Sequence, residues 1–239
     1  MRNLWMRYGD QTVLERLNLT VEAGSFCALI GPSGCGKTTF LRLLLGQEAP
    51  SQGQILLDGQ PLVAEPGPAR GIVFQRYSVF PHLAVLDNVL LGLEFQAAPW
   101  SGRLWGRRRR QGRQRALALL EAVGLAEAAA KYPAALSGGM QQRLALAQAL
   151  IVEPKVLLLD EPFGALDPGV RHDVRALLQT LWRQRAMTVF MVTHDIEEAF
   201  LLGTRVLVFD KVRRDPQAPW AYGATITYDL PTARPAADP

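Results

Sequence analysis

The sequence predicts an α/β fold in which a mostly parallel sheet carries an antiparallel β subdomain at the N-terminus and a helical insert. Short apolar runs alternate with helical stretches; residues 25–30, for example, are apolar and precede the helical pattern of residues 39–45. Such alternation is typical of a parallel sheet buried on both faces. Residues from about 87 to 150 carry Ala and Leu at helical spacing, which predicts the insert. Residues 12–20 alternate imperfectly between apolar and polar side chains, as a small antiparallel sheet would.

The composition predicts one domain with an ample core. A length of 239 residues is that of a single domain, and 49% of the residues are hydrophobic. Within residues 1–239, the core and β subdomain would occupy about 1–86 and 152–210, the helical subdomain about 87–151, and a C-terminal tail 211–239.

No stretch of the sequence has the unbroken apolar length that spans a bilayer, and residues 1–7 lack the hydrophobic centre of a signal peptide. We therefore expect a cytoplasmic protein that is at most peripheral to a membrane. Cys27 lies in a predicted strand and Cys35 in a glycine-rich loop. The pair does not resemble a disulfide framework, so we expect two free thiols.

Before the insert, strands are predicted at short apolar runs that end in turn residues. They occupy residues 3–6, 13–20, 25–30, 54–57 and 71–74. Turns are predicted at residues 50–53 and at Asp58-Gly59, and the proline-rich residues 61–69 are predicted as a loop. One helix, residues 39–45, follows the glycine-rich loop.

In the insert, helices are predicted over residues 111–123 and 139–151. Gly124 would end the first helix, and Tyr132-Pro133 marks a break before the second.

After the insert, strands and helices alternate again. Strands are predicted at residues 156–159, 188–193 and 205–209, and helices at residues 168–185 and 195–202. Asp167 before Pro168 suits a helix start, and acids at the start of the 195–202 helix suit its dipole. Residues 225–228 are predicted as an edge strand, and the proline- and alanine-rich residues 232–239 as disordered.

Residues 31–39 read G-P-S-G-C-G-K-T-T and match the phosphate-binding pattern G-x-x-x-x-G-K-[ST]. The glycines allow a tight turn whose N–H groups face a phosphate chain, and the helix that follows directs its positive end there. Lys37 would bring a positive charge to the outer phosphates, and the Thr38 hydroxyl would ligate Mg²⁺. The sequence therefore predicts a P-loop NTPase core. Its predicted nucleotide-binding residues are Gly31, Pro32, Ser33, Gly34, Cys35, Gly36, Lys37, Thr38 and Thr39.

A second glycine-rich segment, residues 136–143, reads L-S-G-G-M-Q-Q-R. Two glycines open a helical stretch, and Ser137 is placed to cap it. Backbone donors, a hydroxyl and a helix N-terminus would together make a second anion site. Taken alone, the segment is also compatible with an ordinary capped helix start.

The apolar residues 156–159 end in Asp160-Glu161. Carboxylates at the C-terminal end of a buried parallel strand lie where ligands bind in open α/β sheets. Adjacent strand residues point to opposite sides, so one carboxylate can hold the Mg²⁺ shell while the next faces an attacking water. In isolation, two acids at the end of a strand are common.

Together and in this order, these motifs resemble those of the ATP-binding cassette ATPases, the nucleotide-binding subunits of ABC transporters. The resemblance runs from about residue 2 to residue 210. Residues 31–39 resemble the Walker A loop, 136–141 the family signature, and 156–161 the Walker B strand with its following glutamate.

The resemblance implies further site residues outside these motifs. Gln75 resembles the Q-loop glutamine, which helps to ligate Mg²⁺ and senses the γ-phosphate. Residues 165–167 resemble the D-loop, which ends in Asp167, and His194 resembles the switch histidine. Tyr8 resembles the aromatic residue that stacks on adenine.

The resemblance also implies a composite site for ATP and Mg²⁺, formed by two cassettes that face each other head to tail. Charge neutralisation and positioning would dominate the transfer of the phosphoryl group to water. The implied catalytic residues are Lys37, Glu161 as general base, and His194. The implied metal ligands are Thr38, Gln75 and Asp160. The implied signature residues of the opposing cassette are Ser137, Gly138, Gly139 and Gln141. Since the chain holds one cassette, we expect a homodimer or a dimer with a similar cassette.

We therefore expect the ATPase subunit of an importer, bound to integral membrane permease subunits at the cytoplasmic face of the cell membrane. An external solute-binding protein would act with it indirectly. Residues 85–89 and the short C-terminus resemble the nitrate, sulfonate and taurine branch, whereas residues 80–83 resemble the sugar and polyamine branch. Residues 76–89 are unusually apolar for a loop, and they would either fill the helical subdomain's core or line a groove for a permease helix.

The alternative function is a non-transport cassette ATPase that acts on nucleic acid or ribosomes. Such proteins usually carry tandem cassettes or long coiled-coil insertions, and this sequence has neither. A simple P-loop kinase is disfavoured by residues 136–141 and Gln75.

The formal net charge is +4, and residues 103–115 contain seven arginines. The interpretation we favour is a solvated loop and helix face. A membrane-surface contact is the second interpretation. Nucleic-acid binding is the third and least favoured, because no base-stacking module accompanies the cluster, so we expect no nucleic-acid partner.

For Cys35 we predict that a thiol reagent inhibits the protein and that bound ATP protects it.

Overall fold

The computed structural model describes residues 1–62, 64–74, 79–97 and 102–232. Its strands are β1 (Arg2–Tyr8), β2 (Gln11–Leu17), β3 (Phe26–Ile30), β4 (Gln52–Gln54), β5 (Leu56–Leu57), β6 (Gln60–Pro61), β7 (Arg70–Val73), β8 (Val156–Asp160), β9 (Thr188–Val192), β10 (Arg205–Asp210) and β11 (Thr225–Pro231). Its α-helices are α1 (Lys37–Leu45), α2 (Val85–Ala97), α3 (Gly106–Ala122), α4 (Gly138–Leu150), α5 (Pro168–Arg185) and α6 (Ile196–Leu202).

The main sheet has six strands in the order β11-β10-β3-β9-β8-β7. Five of them are parallel, and β11 pairs antiparallel with β10 at one edge. A separate antiparallel sheet has the order β2-β1-β4, and β5 with β6 forms a small hairpin. This arrangement confirms the α/β fold class that the sequence predicts.

Alternating residues of the buried strands supply the cores on the two faces of the main sheet. On one face, Phe40 of α1 packs edge-on against Phe190 and Phe209, with ring centroids 5.9 and 5.2 Å apart. On the other face, Phe26 meets Trp182 of α5 edge-on at 5.5 Å. Because both faces of the sheet are covered, a ligand can reach the sheet only where the strands end. In open α/β sheets, ligands bind at the carboxyl ends of the strands.

The helices of the insert pack together beside the sheet. Helix α2 was not predicted as a separate element, and α3 begins at Gly106, five residues before the predicted start, so that it takes in four consecutive arginines. Asn88, only 1% exposed, explains why α2 is well anchored: its amide binds Phe80 N at 2.8 Å, Phe80 O at 3.0 Å and Leu83 O at 2.8 Å. These hydrogen bonds come from a polar side chain, so the spacing of hydrophobic residues does not predict them.

Two other predicted boundaries were wrong. The single strand predicted at residues 54–57 is two strands, because residues 52–54 pair with β1 while Leu56 and Leu57 pair with β6. The turn predicted at residues 50–53 therefore overlaps β4.

The edge strand predicted at residues 225–228 is confirmed and extends to Pro231. Within the part of the chain that the structure describes, no helix has the length and apolarity needed to cross a membrane.

Candidate functional site

Three neighbouring strands bring the predicted site residues to one edge of the main sheet. Strand β3 ends at Ile30, β8 at Asp160 and β9 at Val192, and β9 lies between the other two. Since these strands are parallel, the segments that follow their carboxyl ends meet.

The phosphate loop between β3 and α1 requires glycine at two positions. Gly31 has φ 149°, and a Cβ there would lie 2.2 Å from the carbonyl oxygen of Phe209. Gly36 has φ 90° and caps α1, and a Cβ there would lie 2.7 Å from Leu14 Cδ2. The loop is therefore pressed closely against β10 on one side and β2 on the other.

Lys37 is buried at 6% exposure inside this loop. Its Nζ donates hydrogen bonds to Gly31 O at 2.7 Å and Pro32 O at 2.9 Å, and it lies 3.7 Å from Cys35 Sγ. None of the ion pairs among the described residues involves Lys37. A buried ammonium group without a carboxylate partner is costly, so the loop favours an anionic ligand.

Thr38 and Asp160 meet across the site. Thr38 Oγ1 donates to Asp160 Oδ2 at 3.2 Å. Burial raises the pKa of the Asp160 carboxyl, the hydrogen bond from Thr38 acts against this shift, and the neighbouring charge of Glu161 adds to it. A hydroxyl and a carboxylate are oxygen ligands of the kind that Mg²⁺ prefers. Among the described residues no cluster of three or more His, Cys, Asp or Glu could hold a metal. A cation would therefore need further oxygens from a nucleotide.

The Glu161 carboxylate pairs with His194. Its backbone has φ 49°, and its N–H donates to Val192 O at 3.0 Å, which ties the end of β8 to the end of β9. Glu161 and His194 line a cavity of about 260 Å³ together with Phe163, Gly164, Arg171, Thr193, Asp195 and Glu198. Asp160 is the last residue of β8 and lies beside Thr38, whereas Glu161 follows the strand in a left-handed conformation and lies beside a histidine.

A buried network behind His194 was missed by sequence reasoning. Glu198, only 4% exposed, accepts hydrogen bonds from the Thr193 hydroxyl and from Arg175 Nε, the latter at 2.7 Å. Asp195 caps α6 by accepting from Glu198 N at 3.1 Å. The sequence contained a signal, because Asp195 and Glu198 have the spacing of a capping box, but we assigned these acids only to the helix dipole. The network fixes the backbone on both sides of His194.

The second glycine-rich segment lies at the start of α4. Ser137 caps the helix by accepting from Met140 N at 3.4 Å, as predicted. Gln141 Nε2 donates to Pro133 O at 3.1 Å and to Leu136 O at 3.3 Å. A Cβ on Gly139 would lie 2.2 Å from Val170 Cγ1 of α5. This segment contacts residues 133–136 and α5, whereas the phosphate loop packs against β10 and β2, so the two predicted anion sites lie against different elements of the chain.

The remaining predicted residues have different positions. Tyr8 lies at the end of β1, 43% exposed, and its hydroxyl donates to Glu48. Asp167 caps α5 through its backbone, since Arg171 N donates to Asp167 O at 2.8 Å. Gln75 lies outside the described residues.

Cys27 and Cys35 are both free thiols. Cys35 is only 3% exposed, and burial raises its pKa despite the nearby Lys37 ammonium. Burial also raises the pKa of Cys27 to about 12. Since the thiolate is the reactive form, burial should slow the modification of Cys35, and inhibition by a thiol reagent with protection by ATP stays a prediction.

The segment 211–224 supports the phosphate loop from behind β2. Arg213 makes a bidentate ion pair with Glu15, with Nη2 3.0 Å from both carboxylate oxygens, and Glu15 is only 5% exposed. Ala224 N donates to Val13 O at 2.9 Å, and a Cβ on Gly223 would lie 2.9 Å from the backbone of Leu14. Leu14 therefore lies between this segment and Gly36. No local pattern in the sequence predicts an ion pair between residues 198 positions apart.

Comparisons with known proteins agree with this geometry. A family model described as ABC transporter matches residues 14–164. The aliphatic sulfonates import ATP-binding protein SsuB of Yersinia pestis is 43% identical over 234 residues, which are 98% of this chain and 78% of that protein. The sulfate/thiosulfate import ATP-binding protein CysA of Gloeobacter violaceus is 46% identical over 213 residues, which are 88% of this chain and 59% of that protein.

Solved structures give the same result. A dimeric ATP-binding cassette in a post-hydrolysis state, bound to ADP and Pi, superposes with a TM-score of 0.76 at 29% identity and covers 98% of both chains. The dimeric structure of a bacterial ABC transporter cassette superposes with a TM-score of 0.77 at 30% identity and the same coverage.

Proposed function

This chain belongs to the ABC transporter family as an ATP-binding subunit that hydrolyses ATP to energise uptake, and we propose that it works in a cassette dimer beneath a separate membrane permease. The main support for this site is that its residues lie together at one edge of the sheet. They are Lys37, Thr38, Asp160, Glu161 and His194. A phosphate-binding loop, an oxygen-rich cation position and a carboxylate–histidine pair are the parts that phosphoryl transfer to water needs.

We propose that Thr38 and Asp160 hold Mg²⁺ together with the nucleotide, and that Gln75 adds a further ligand. The Thr38 hydroxyl and the Asp160 carboxylate are already 3.2 Å apart, so they face a common point. When bound, the ion supplies positive charge to the phosphate oxygens. Lys37 would exchange its contacts with Gly31 O and Pro32 O for phosphate oxygens, because it needs an anionic partner.

For the chemical step, we propose that Glu161 is the general base. Its carboxylate takes a proton from water while the water oxygen forms a bond to the γ-phosphorus, and the bond to the β,γ-bridging oxygen breaks to leave ADP. His194, which contacts Glu161, would hold the γ-phosphate in line. The network of Thr193, Glu198 and Arg175 would keep His194 in position.

The second copy is proposed to supply what one chain does not bring together. The start of α4 packs against α5 and would cover the ATP of a partner cassette with Ser137, Gly138, Gly139 and Gln141. Asp167, at the start of α5, would lie near the same interface, because Gly139 packs directly on Val170 of that helix. Tyr8, which is partly exposed, would stack on adenine.

We propose that the cargo is a small oxyanion of the sulfonate class. The sulfonate-import relative aligns over nearly the whole chain, whereas the sulfate/thiosulfate relative aligns over less of it. The subunit would then lie at the inner face of the cell membrane with permease subunits, and an external solute-binding protein would deliver the cargo.

The experiment is purification from the source membrane in mild detergent, followed by ATPase and uptake assays of the complex in vesicles. We expect a permease to co-purify, and we expect labelled alkanesulfonate to accumulate only with ATP. Competition by sulfate and by a polyamine identifies the cargo class. A complex that hydrolyses ATP and imports only sulfate or polyamine would contradict the proposed cargo but not the ATPase, and a chain that purifies with ribosomes and no permease would contradict transport.

A further inference from the structure

We infer that the first turns of α3 and the aromatic side chains beside them bind the surface of an anionic phospholipid membrane. This surface, called here the arginine patch, consists of Phe95, Trp105, Arg107, Arg108, Arg109, Arg110 and Arg113. The inference goes beyond the proposed transport role, because the proposed phosphoryl transfer uses none of these residues.

The patch carries a large uncompensated positive charge. All five arginines are exposed, and none takes part in the ion pairs given for the described residues. The sequence contains no Asp or Glu between Glu94 and Glu121. Arg115, two residues beyond the patch, differs: it pairs with Glu153 at 2.9 Å. Within the part of the chain that the structure describes, the charge of the patch therefore faces solvent without an ion-pair partner.

This charge is placed where it disfavours the helix that carries it. Arginines in the first turn lie at the positive end of the helix dipole. Arg107 and Arg110, like Arg109 and Arg113, are three or four positions apart, where like charges repel. Trp105, which precedes the helix, makes no side-chain cap. Since helix stability does not explain these residues, an external anion is the better explanation.

Two aromatic side chains border the charge. Trp105 is 71% exposed and Phe95 is 61% exposed. Their positions are held firmly, because Leu104 is buried at 6% exposure and its N–H donates to Glu94 Oε1 at 3.4 Å. Each exposed ring is thus one residue from an anchored contact. Tryptophan and phenylalanine beside a cluster of arginines are typical of protein surfaces that rest at the headgroup level of a membrane.

A lipid surface fits these observations better than a nucleic acid does. Guanidinium groups bind phosphates of either ligand. A single-stranded nucleic acid would need a groove with successive stacking platforms, and among the described residues the patch has two aromatic rings at its border. The relatives named above are import ATP-binding proteins, and import takes place across a membrane. A polybasic surface is attracted to anionic lipids.

The test is sedimentation of the full chain with vesicles of phosphatidylcholine, with and without phosphatidylglycerol, in the absence of ATP. One variant carries Arg107→Gln, Arg108→Gln, Arg109→Gln and Arg110→Gln, because glutamine keeps the helix propensity. The matched control removes the same charge from exposed positions elsewhere, with Arg2→Gln, Arg7→Gln, Lys131→Gln and Arg183→Gln. Trp105→Ala is tested separately.

We expect the parent chain to bind only the anionic vesicles and to be released by salt. The patch variant should lose at least about tenfold in partition coefficient, whereas the control should stay within about twofold. For the Trp105 variant, the partition coefficient should fall several-fold relative to the parent at high salt, where the attraction between the arginines and the lipids is screened. Circular dichroism and a melting curve check folding, and the patch variant should melt no lower than the parent.

Four results would overturn the inference: no binding of the parent at low salt, equal binding to neutral vesicles, equal loss in patch and control variants, or tighter binding of an RNA or DNA oligomer than of anionic vesicles. The assay uses neither permease nor ATP turnover. Failure of lipid binding would therefore leave the proposed function intact, and failure of the proposed function would leave this surface to be judged by its own measurement.

Discussion

At the residue scale, two adjacent carboxylates have different surroundings. Asp160 lies against Thr38, whereas Glu161 turns toward His194 and the small cavity beside it. The burial that raises the pKa of Asp160 would be offset by a bound cation, which favours the ionised form. One acid is thus suited to hold a metal and the other to accept a proton.

Replacing Glu161 by Gln removes the proposed base and keeps the shape of the side chain. We expect ATP binding to persist while turnover falls by about 10²–10⁴-fold, which is the usual contribution of a general base. Single-turnover hydrolysis and nucleotide binding by calorimetry measure the two effects separately. Glu197→Gln, a neighbouring acid on α6, is the matched control and should retain turnover. A Glu161→Gln protein with the parent's rate would show that another group takes the proton.

Replacing Asp160 by Asn separates stability from function. The raised pKa means that the folded chain holds this proton more readily than the unfolded chain. Ionisation of Asp160 therefore lowers stability as pH rises from the unfolded-state pKa through the folded-state pKa, and the loss is complete above the latter. Without nucleotide, Asp160→Asn should be as stable as the parent or more so at neutral pH, while Mg²⁺-dependent turnover is lost.

Urea unfolding across pH measures this difference, which should disappear at pH values below the ordinary aspartate pKa. Asp173→Asn, an exposed acid on α5, serves as the control and should follow the parent at every pH. A constant destabilisation of Asp160→Asn at all pH values would mean that the carboxylate has a purely structural role.

At the element scale, the segment 211–224 shows how distant parts of the chain support the phosphate loop. Leu14 of β2 lies between this segment and Gly36, and the ion pair of Arg213 with Glu15 holds the segment in place. Arg213 also stacks over the ring of Tyr222 at 4.2 Å. The nucleotide loop thus rests on an element that lies far behind it in the sequence, close to the last strand.

We expect Arg213→Ala to lower the free energy of unfolding by about 2 kcal/mol or more, because it leaves the buried Glu15 without its partner. The lower part of the usual range applies, since the Arg213 side chain is 43% exposed. Urea unfolding measures the loss. Arg214→Ala is the control: its side chain is 76% exposed and lies 3.7 Å from Asp210, so it should change stability little. Equal stabilities of the two variants would contradict this role of the ion pair.

Local signals made some elements predictable and left others hidden. The strand–loop–helix around residues 31–39 was predictable because a glycine pattern, an apolar run and a helix start are all local. Helix α2 was missed as a separate element because its anchor, Asn88, acts through contacts with the preceding loop. The Glu15–Arg213 pair and the Glu198 network depend on contacts between elements, which spacing along the chain does not reveal.

At the scale of the whole molecule, the separation of the signature from the phosphate loop predicts shared sites. Lys37→Ala should abolish ATP turnover by loss of phosphate binding. Ser137→Arg should abolish turnover while ATP binding to the isolated chain persists. If two chains share each site, a mixture of the two variants forms some dimers with one intact site.

We therefore expect the mixture to recover turnover that neither variant shows alone. The measurement is the ATPase rate as a function of mixing ratio, with the maximum at about equal amounts, where mixed dimers are most frequent. As a control, Lys37→Ala is mixed with Glu161→Gln. Both changes lie in the Walker half of the site, so each of the two sites in a mixed dimer carries one of them. No intact site forms in that mixture, and we expect no recovery of turnover. Recovery in the control, or none with Ser137→Arg, would contradict the shared site.

The buried ammonium of Lys37 also has a practical consequence for work with the purified chain. Its two carbonyl contacts carry no full negative charge, so we expect the loop to accept simple oxyanions from solution. Sulfate or pyrophosphate in a storage buffer would then raise the melting temperature and weaken the apparent affinity for nucleotide. A chloride buffer is the safer reference state for comparing preparations.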